Sequence, residues 1–125
     1  MTPGRQLGFL WGGAALVCAA AAPLAPMLAK GLPPCPFHWL TGFPCATCGG
    51  TRALLALGRF EFGIAFAWNP LVAVAGILFM IGGIAALGSA ALGRDVRVPN
   101  PTLGFRIALG LALASNWAFL VASGR

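Results

Sequence analysis

Three long stretches of the chain are almost purely apolar, and the polar residues gather between them. Residues 7–29 contain no charged side chain and are bracketed by Arg5 and Lys30, placed where long cationic side chains reach toward headgroups. Residues 71–93 are likewise free of charged side chains, and residues 103–122 carry one, Arg106, in the first turn, shallow enough to snorkel as an interface anchor. A hydrocarbon core about 30 Å thick is crossed by about 20 apolar residues in a helix, so the pattern predicts three transmembrane helices. Pro23 and Pro26 fall in the last third of the first stretch, where a kink is tolerated if neighbouring groups re-satisfy the freed carbonyls. Arg5, the apolar run and Ala19 to Ala22 also resemble a cleaved leader, but Pro23 would follow the cut, so the stretch is read as a retained span.

Between the first two stretches the pattern changes twice. Residues 31–51 are rich in Pro, Gly, Cys and Thr and show no helical period, which predicts a loop. Residues 52–68 regain Leu54, Leu55, Leu57, Phe60, Phe62, Ile64 and Phe66 but also carry Arg52, Arg59 and Glu61. That is too many charges for a span and suits one amphipathic helix lying in the membrane interface. Asn69-Pro70 is a helix start, because Asn caps free amides and a proline in the first turn forfeits no hydrogen bond. Asn100-Pro101 predicts a second such start before residue 103. The expected architecture is all-α, a single integral membrane domain over residues 1–125.

Composition agrees with lipid as the solvent: 59% of residues are hydrophobic and 8% charged, against about 25% charged in soluble domains. The formal charge of +6 comes from singly dispersed Lys and Arg residues. With no basic run interleaved with aromatics, nucleic acid is excluded as a partner and the lipid bilayer is the expected counter-charge. Three crossings put the amino terminus and the Arg94 to Arg97 turn on one side, and the cysteine loop and Arg125 on the other. The free amino group and the dense short turn tip the amino terminus inward, predicting a multi-pass protein of a bacterial inner membrane with its cysteine loop on the periplasmic side. Gly82, Ala86 and Ala90, and likewise Gly104, Ala108 and Ala112, are small residues four apart, which let helices approach one another or a partner subunit.

Four cysteines bear on chemistry. Cys18 sits among alanines and reads as a buried apolar filler. Cys35-Pro-Phe-His38 and Cys45-Ala-Thr-Cys48 are two C-x-x-ligand pairs, each able to converge on one centre across a turn. Three thiolates and an imidazole match a Cys₃His zinc set, and the thiolates equally suit copper as Cu(I). Only six residues separate the pairs, fewer than zinc ribbons and fingers place there. On an oxidising side, Cys35 closing on Cys45 or Cys48 would staple the loop, and a redox-active Cys45–Cys48 pair is a third reading. His38, flanked by Phe37 and Trp39, is otherwise a boundary residue. Arg52 and Arg59, seven apart, share one side of a helix and suit either lipid phosphate or a thiolate or other anion. Catalytic constellations are missing: the chain has one Glu, one Asp and no Tyr, and Gly49-Gly50-Thr51 alone is too little for a phosphate cradle.

The stretch from Cys35-Pro-Phe-His38 through Thr41-Gly-Phe-Pro-Cys45-Ala-Thr-Cys48-Gly-Gly-Thr51-Arg52, followed by Trp68-Asn69-Pro70, resembles a bacterial membrane family known as domain of unknown function 2752 (DUF2752). Ala46 stands where that family's pattern has proline, and Asn116-Trp117 resembles a further family position. The resemblance implies membrane location and importance for Cys35, Cys45, Cys48, Gly49, Thr51, Arg52, Asn69 and Pro70, and brings no activity with it. The leading expectation is a non-enzymatic accessory subunit that docks to a larger membrane complex. The alternative is a thiol-based metal or redox protein using Cys35, His38, Cys45 and Cys48.

Overall fold

The structure is a computed structural model that describes residues 1–31, 35–45 and 47–124. Among the described residues there is no strand, and the helices are α1 (Pro3–Ala21), α2 (Ala25–Ala29), α3 (Pro36–Thr41), α4 (Gly50–Gly58), α5 (Phe62–Trp68), α6 (Pro70–Ala91) and α7 (Leu103–Ala122). Two of them, α6 with 22 residues and α7 with 20, are long and apolar enough to cross a membrane. Only 17% and 11% of their most apolar windows are buried inside the protein, so their apolar side chains are left facing outward.

The first expected span is not one helix. Proline has no N–H and its ring collides with the carbonyl four residues back, and the chain leaves α1 at a turn over Ala22–Leu24, around Pro23, before the short α2. The part of α1 free of polar side chains, Leu7 to Ala21, is about 23 Å long at 1.5 Å per residue, short of the hydrocarbon thickness. A third crossing is therefore not shown.

Packing of α1 on α6 rests on small residues. Gly8, Gly12 and Ala15 of α1 are buried, as are Gly83, Ala86 and Ala90 of α6. A Cβ on Gly12 would lie 2.4 Å from Leu87 Cβ and 3.0 Å from the Gly83 carbonyl oxygen, and one on Gly83 would lie 2.6 Å from Ala15 Cβ. Such backbone approach is open only to residues with no side chain. Trp11 lies over Gly82 and donates its indole N–H to the Phe79 carbonyl at 3.2 Å. The helices run antiparallel, so Gly4 comes against Asp95 and the Thr2 hydroxyl bonds the Asp95 carboxylate. The amino end thus lies beside residues 94–97.

The stripe expected on α6 packs, centred on Gly83 rather than Gly82. The stripe on α7 does not: Gly104 has no atom within 4 Å of a notional Cβ, Ala108 and Ala112 are exposed, and only Asn116 and Leu120 of that helix are buried. Nor does Asn100 cap α7. The cap is Thr102, whose hydroxyl accepts from the Phe105 amide at 3.3 Å, which places Pro101 just outside the helix instead of in its first turn.

The interfacial helix expected over 52–68 is a helical hairpin. α4 stops at Gly58 because Phe60 turns left-handed (φ 60°), with the Glu61 amide returning to the Ala56 carbonyl at 2.9 Å. α5 then folds back, and Ala56, Ala65 and Ala73 close a small core where α4, α5 and α6 meet. Leu54 and Leu57 reach Gly76, six residues or about 9 Å along α6, so the hairpin lies alongside the first turns of the longest apolar helix.

Candidate functional site

Cys35 stands at the cap of α3, with Pro36 in the first turn, and its carbonyl accepts from the Trp39 amide at 3.0 Å. This helix, inside a segment expected to be irregular, ends at Gly42, whose amide bonds the His38 carbonyl at 2.9 Å. The Thr41 hydroxyl donates to the Phe37 carbonyl at 2.7 Å and accepts from the Phe43 amide at 3.2 Å. The chain is thereby folded back on itself, and Cys45 Sγ comes within 3.5 Å of Cys35 Sγ. The short α3 helix and the turn at Gly42 bring Cys35 and Cys45 together across the segment between them.

Cys45 and Cys48 occupy one turn: the Cys48 amide donates to the Cys45 carbonyl at 3.0 Å, and the Cys45 amide donates to Cys48 Sγ at 3.2 Å. Their sulfurs are 3.5 Å apart. The Sγ atoms of Cys35, Cys45 and Cys48 all lie within 4.8 Å of one another, half-buried and unbonded. The turn leaves through Gly49 (φ 76°), where a Cβ would also meet the Trp68 carbonyl oxygen at 3.1 Å. Glycine is needed there on both counts.

The thiols are inequivalent. A hydrogen bond with the Thr47 hydroxyl, 3.3 Å from Cys45 Sγ, outweighs burial and, helped by Cys35, the Thr47 backbone and Cys48, lowers the Cys45 pKa to about 7. Burial first, and then the neighbouring Cys45, raise Cys48 to about 11 against the opposing Cys45 amide. Arg52 takes no part in either shift. Its guanidinium instead lies 4.4 Å over the Trp68 ring.

Two buried asparagines and the indole of the exposed Trp117 fasten the loop to the apolar helices. Asn69 accepts from the Val72 amide at 3.1 Å, capping α6, while its Nδ2 donates to the Cys48 carbonyl at 3.1 Å. Pro70 has no N–H, and the next free amide, Leu71, donates to Asn116 Oδ1 of α7 at 3.1 Å. One residue on, Trp117 donates its indole N–H to the Pro44 carbonyl at 2.9 Å. Thr47, Pro44 and the working parts of Asn116 and Trp117 escaped sequence reasoning. The adjacency of a polar and an amphipathic residue inside an apolar run was the available signal for the last two.

The remaining expectations divide. His38 is exposed and stands outside the three-sulfur group, and Thr51 is exposed on α4. Cys18 is exposed rather than buried, because it points away from the Gly8–Gly12–Ala15 face that meets α6. Ala46 and Arg125 lie outside the described residues.

No curated protein and no solved structure matches the chain. A family model does, over residues 35–83, which take in the cysteine loop, α3, α4, α5 and α6 as far as Gly83. That family is described as a protein of unknown function, DUF2752, so the resemblance read from the cysteine loop is matched by a family model over residues 35–83.

Proposed function

We propose that the chain is a multi-pass membrane protein whose loop binds one soft or borderline cation, Cu(I) or Zn(II), through the thiolates of Cys35, Cys45 and Cys48. The observation that carries this reading is the convergence of three sulfurs within 4.8 Å, two of the separations being 3.5 Å. Sulfurs sharing a tetrahedral zinc at about 2.3 Å would be about 3.8 Å apart, so the two 3.5 Å pairs need only a few tenths of an ångström of adjustment and the third at most about 1 Å. Soft thiolates favour Cu(I) and zinc over magnesium or calcium. Three protein ligands leave one position open, the arrangement of a site that exchanges its ion or meets an outside ligand rather than of a closed structural site. His38, three residues from Cys35, is the side chain best placed in sequence to swing onto that fourth position.

The half-buried sulfurs sit beside the start of α6; with a pKa of about 7, Cys45 is about half thiolate at pH 7, whereas Cys48, raised to about 11, gives up its proton on binding. The antiparallel seating of α1 on α6 supports α1 as a third, shorter crossing. The cations at the amino end and the 94–97 turn support a bacterial inner-membrane orientation with the thiols on the periplasmic face. The test is competition between purified, reduced protein and a chromogenic chelator for Cu(I) and for Zn(II). One ion per chain, with affinity lost by serine at any of the three loop cysteines and kept by Cys18→Ser, is the expected result; equal retention by all four variants would refute it.

A second reading is favoured by α7, whose small residues Gly104, Ala108 and Ala112 are left exposed. On that reading the chain is an accessory subunit whose last helix docks on another membrane protein. Migration as an isolated monomer after mild-detergent extraction at native expression, with no stoichiometric partner, would eliminate it.

A further inference from the structure

Between α4 and α5 lies a crevice of about 190 Å³ lined by Arg52, Leu55, Ala56, Arg59, Glu61, Ile64 and Trp68. The two arginines, two helical turns apart in sequence, are thus brought to one concavity. Trp68 positions the Arg52 guanidinium, whose Cζ lies 4.4 Å over its ring centroid, and the N–H groups of a guanidinium held over a ring can still reach an acceptor. Among the described residues neither arginine is in an ion pair, although Glu61 stands in the same wall. Phe60 and Phe62, on either side of Glu61, are 80% and 48% exposed. Exposed aromatics beside arginines, next to the first turn of a long apolar helix, are the arrangement found at headgroup depth.

We propose that this crevice is a phosphodiester site in which Arg52 and Arg59 hold the headgroup phosphate of an anionic phospholipid. A planar fork matches phosphate oxygens in a bidentate way that a lysine does not. The apolar wall of Leu55, Ala56 and Ile64 offers the adjoining glycerol and upper acyl chain a surface. Glu61 opposes the anion and limits affinity. The site is independent of the thiol centre and stands or falls without it.

The experiment is native mass spectrometry of the protein released from micelles containing phosphatidylglycerol. Parallel arms contain a phosphate-free diglycosyl diacylglycerol or added inorganic phosphate. The double variant Arg52→Gln/Arg59→Gln is expected to retain phosphatidylglycerol less well by about tenfold or more, while Arg106→Gln, an exposed arginine of α7, leaves retention unchanged. Glu61→Gln is expected to raise retention, a gain that misfolding cannot mimic. Equal retention in the double variant and the wild type, or equal retention of the phosphate-free lipid, would overturn the proposal. Displacement of the lipid by inorganic phosphate at millimolar levels would identify a soluble ligand and overturn the lipid assignment.

Discussion

Replacing Gly12 and Gly13 by alanine, one at a time, isolates the contact that joins α1 to α6. Both positions are interior to the same helix, and in each the change removes glycine's backbone freedom, a gain of about 1 kcal/mol in helix propensity. They differ in surroundings. A Cβ at Gly13 meets nothing within 4 Å, whereas at Gly12 it would stand 2.4 Å from Leu87 Cβ and 3.0 Å from the Gly83 carbonyl oxygen. Neither obstacle is the flexible end of a side chain, so the helices must part. Overpacking of this kind costs about 1–3 kcal/mol, and because the propensity gain cancels between the variants, that cost is their expected difference. It corresponds to about a 5- to 150-fold difference in unfolding equilibrium. Denaturation in micelles followed by tryptophan fluorescence reads it directly, since Trp11 lies over Gly82 in the same interface. If both variants shift the transition equally, or Gly12→Ala is the more stable of the two, α1 and α6 do not meet through these glycines.

Three further outcomes are expected. Asn69→Ala removes both the α6 cap and the bond to the Cys48 carbonyl, so it should cost about 1–2 kcal/mol in thermal unfolding and weaken metal binding about 10- to 100-fold in chelator competition; an unchanged affinity would detach the cap from the site. In the reduced, metal-free protein, alkylation of Cys45 should rise through a midpoint near pH 7 as its thiolate forms, while Cys48 stays unreactive until the pH nears 11. Thr47→Val should move the Cys45 midpoint upward, and peptide mass spectrometry after pulsed iodoacetamide checks both. Phe60→Gly, which relieves a left-handed residue at the α4–α5 corner, should raise stability by about 1 kcal/mol, and a lower melting temperature would contradict the described turn.

What the sequence disclosed follows the strength of the local physics. Asn69-Pro70 marked the start of α6 because a cap and a first-turn proline act within three residues, and α7 ends where its apolar run ends. Pro23 was visible too, but its effect depended on whether a neighbour would re-satisfy the freed carbonyls, and the chain instead breaks before α2. Thr102 took the cap from Asn100 because it stands immediately before the first helical residue. The Gly8–Gly12 pair, four apart, was an available signal for the α1–α6 interface that abundant glycine and alanine obscured. At the site, the two C-x-x pairs suggested four converging ligands, of which the three sulfurs meet and His38 stands apart, while the partner of Cys45, Thr47, looked like an ordinary turn residue. Asn116 and Trp117 act across roughly 45 and 73 positions of chain, and no local pattern specifies a contact so distant.

X-ray absorption at the metal edge of the zinc-loaded protein bears most directly on the thiol centre. One zinc per chain with three sulfur scatterers at about 2.3 Å, falling to two in Cys48→Ser, is the predicted spectrum. A shell made only of nitrogen and oxygen, or a sulfur count that Cys48→Ser leaves unchanged, would contradict a shared three-thiolate site.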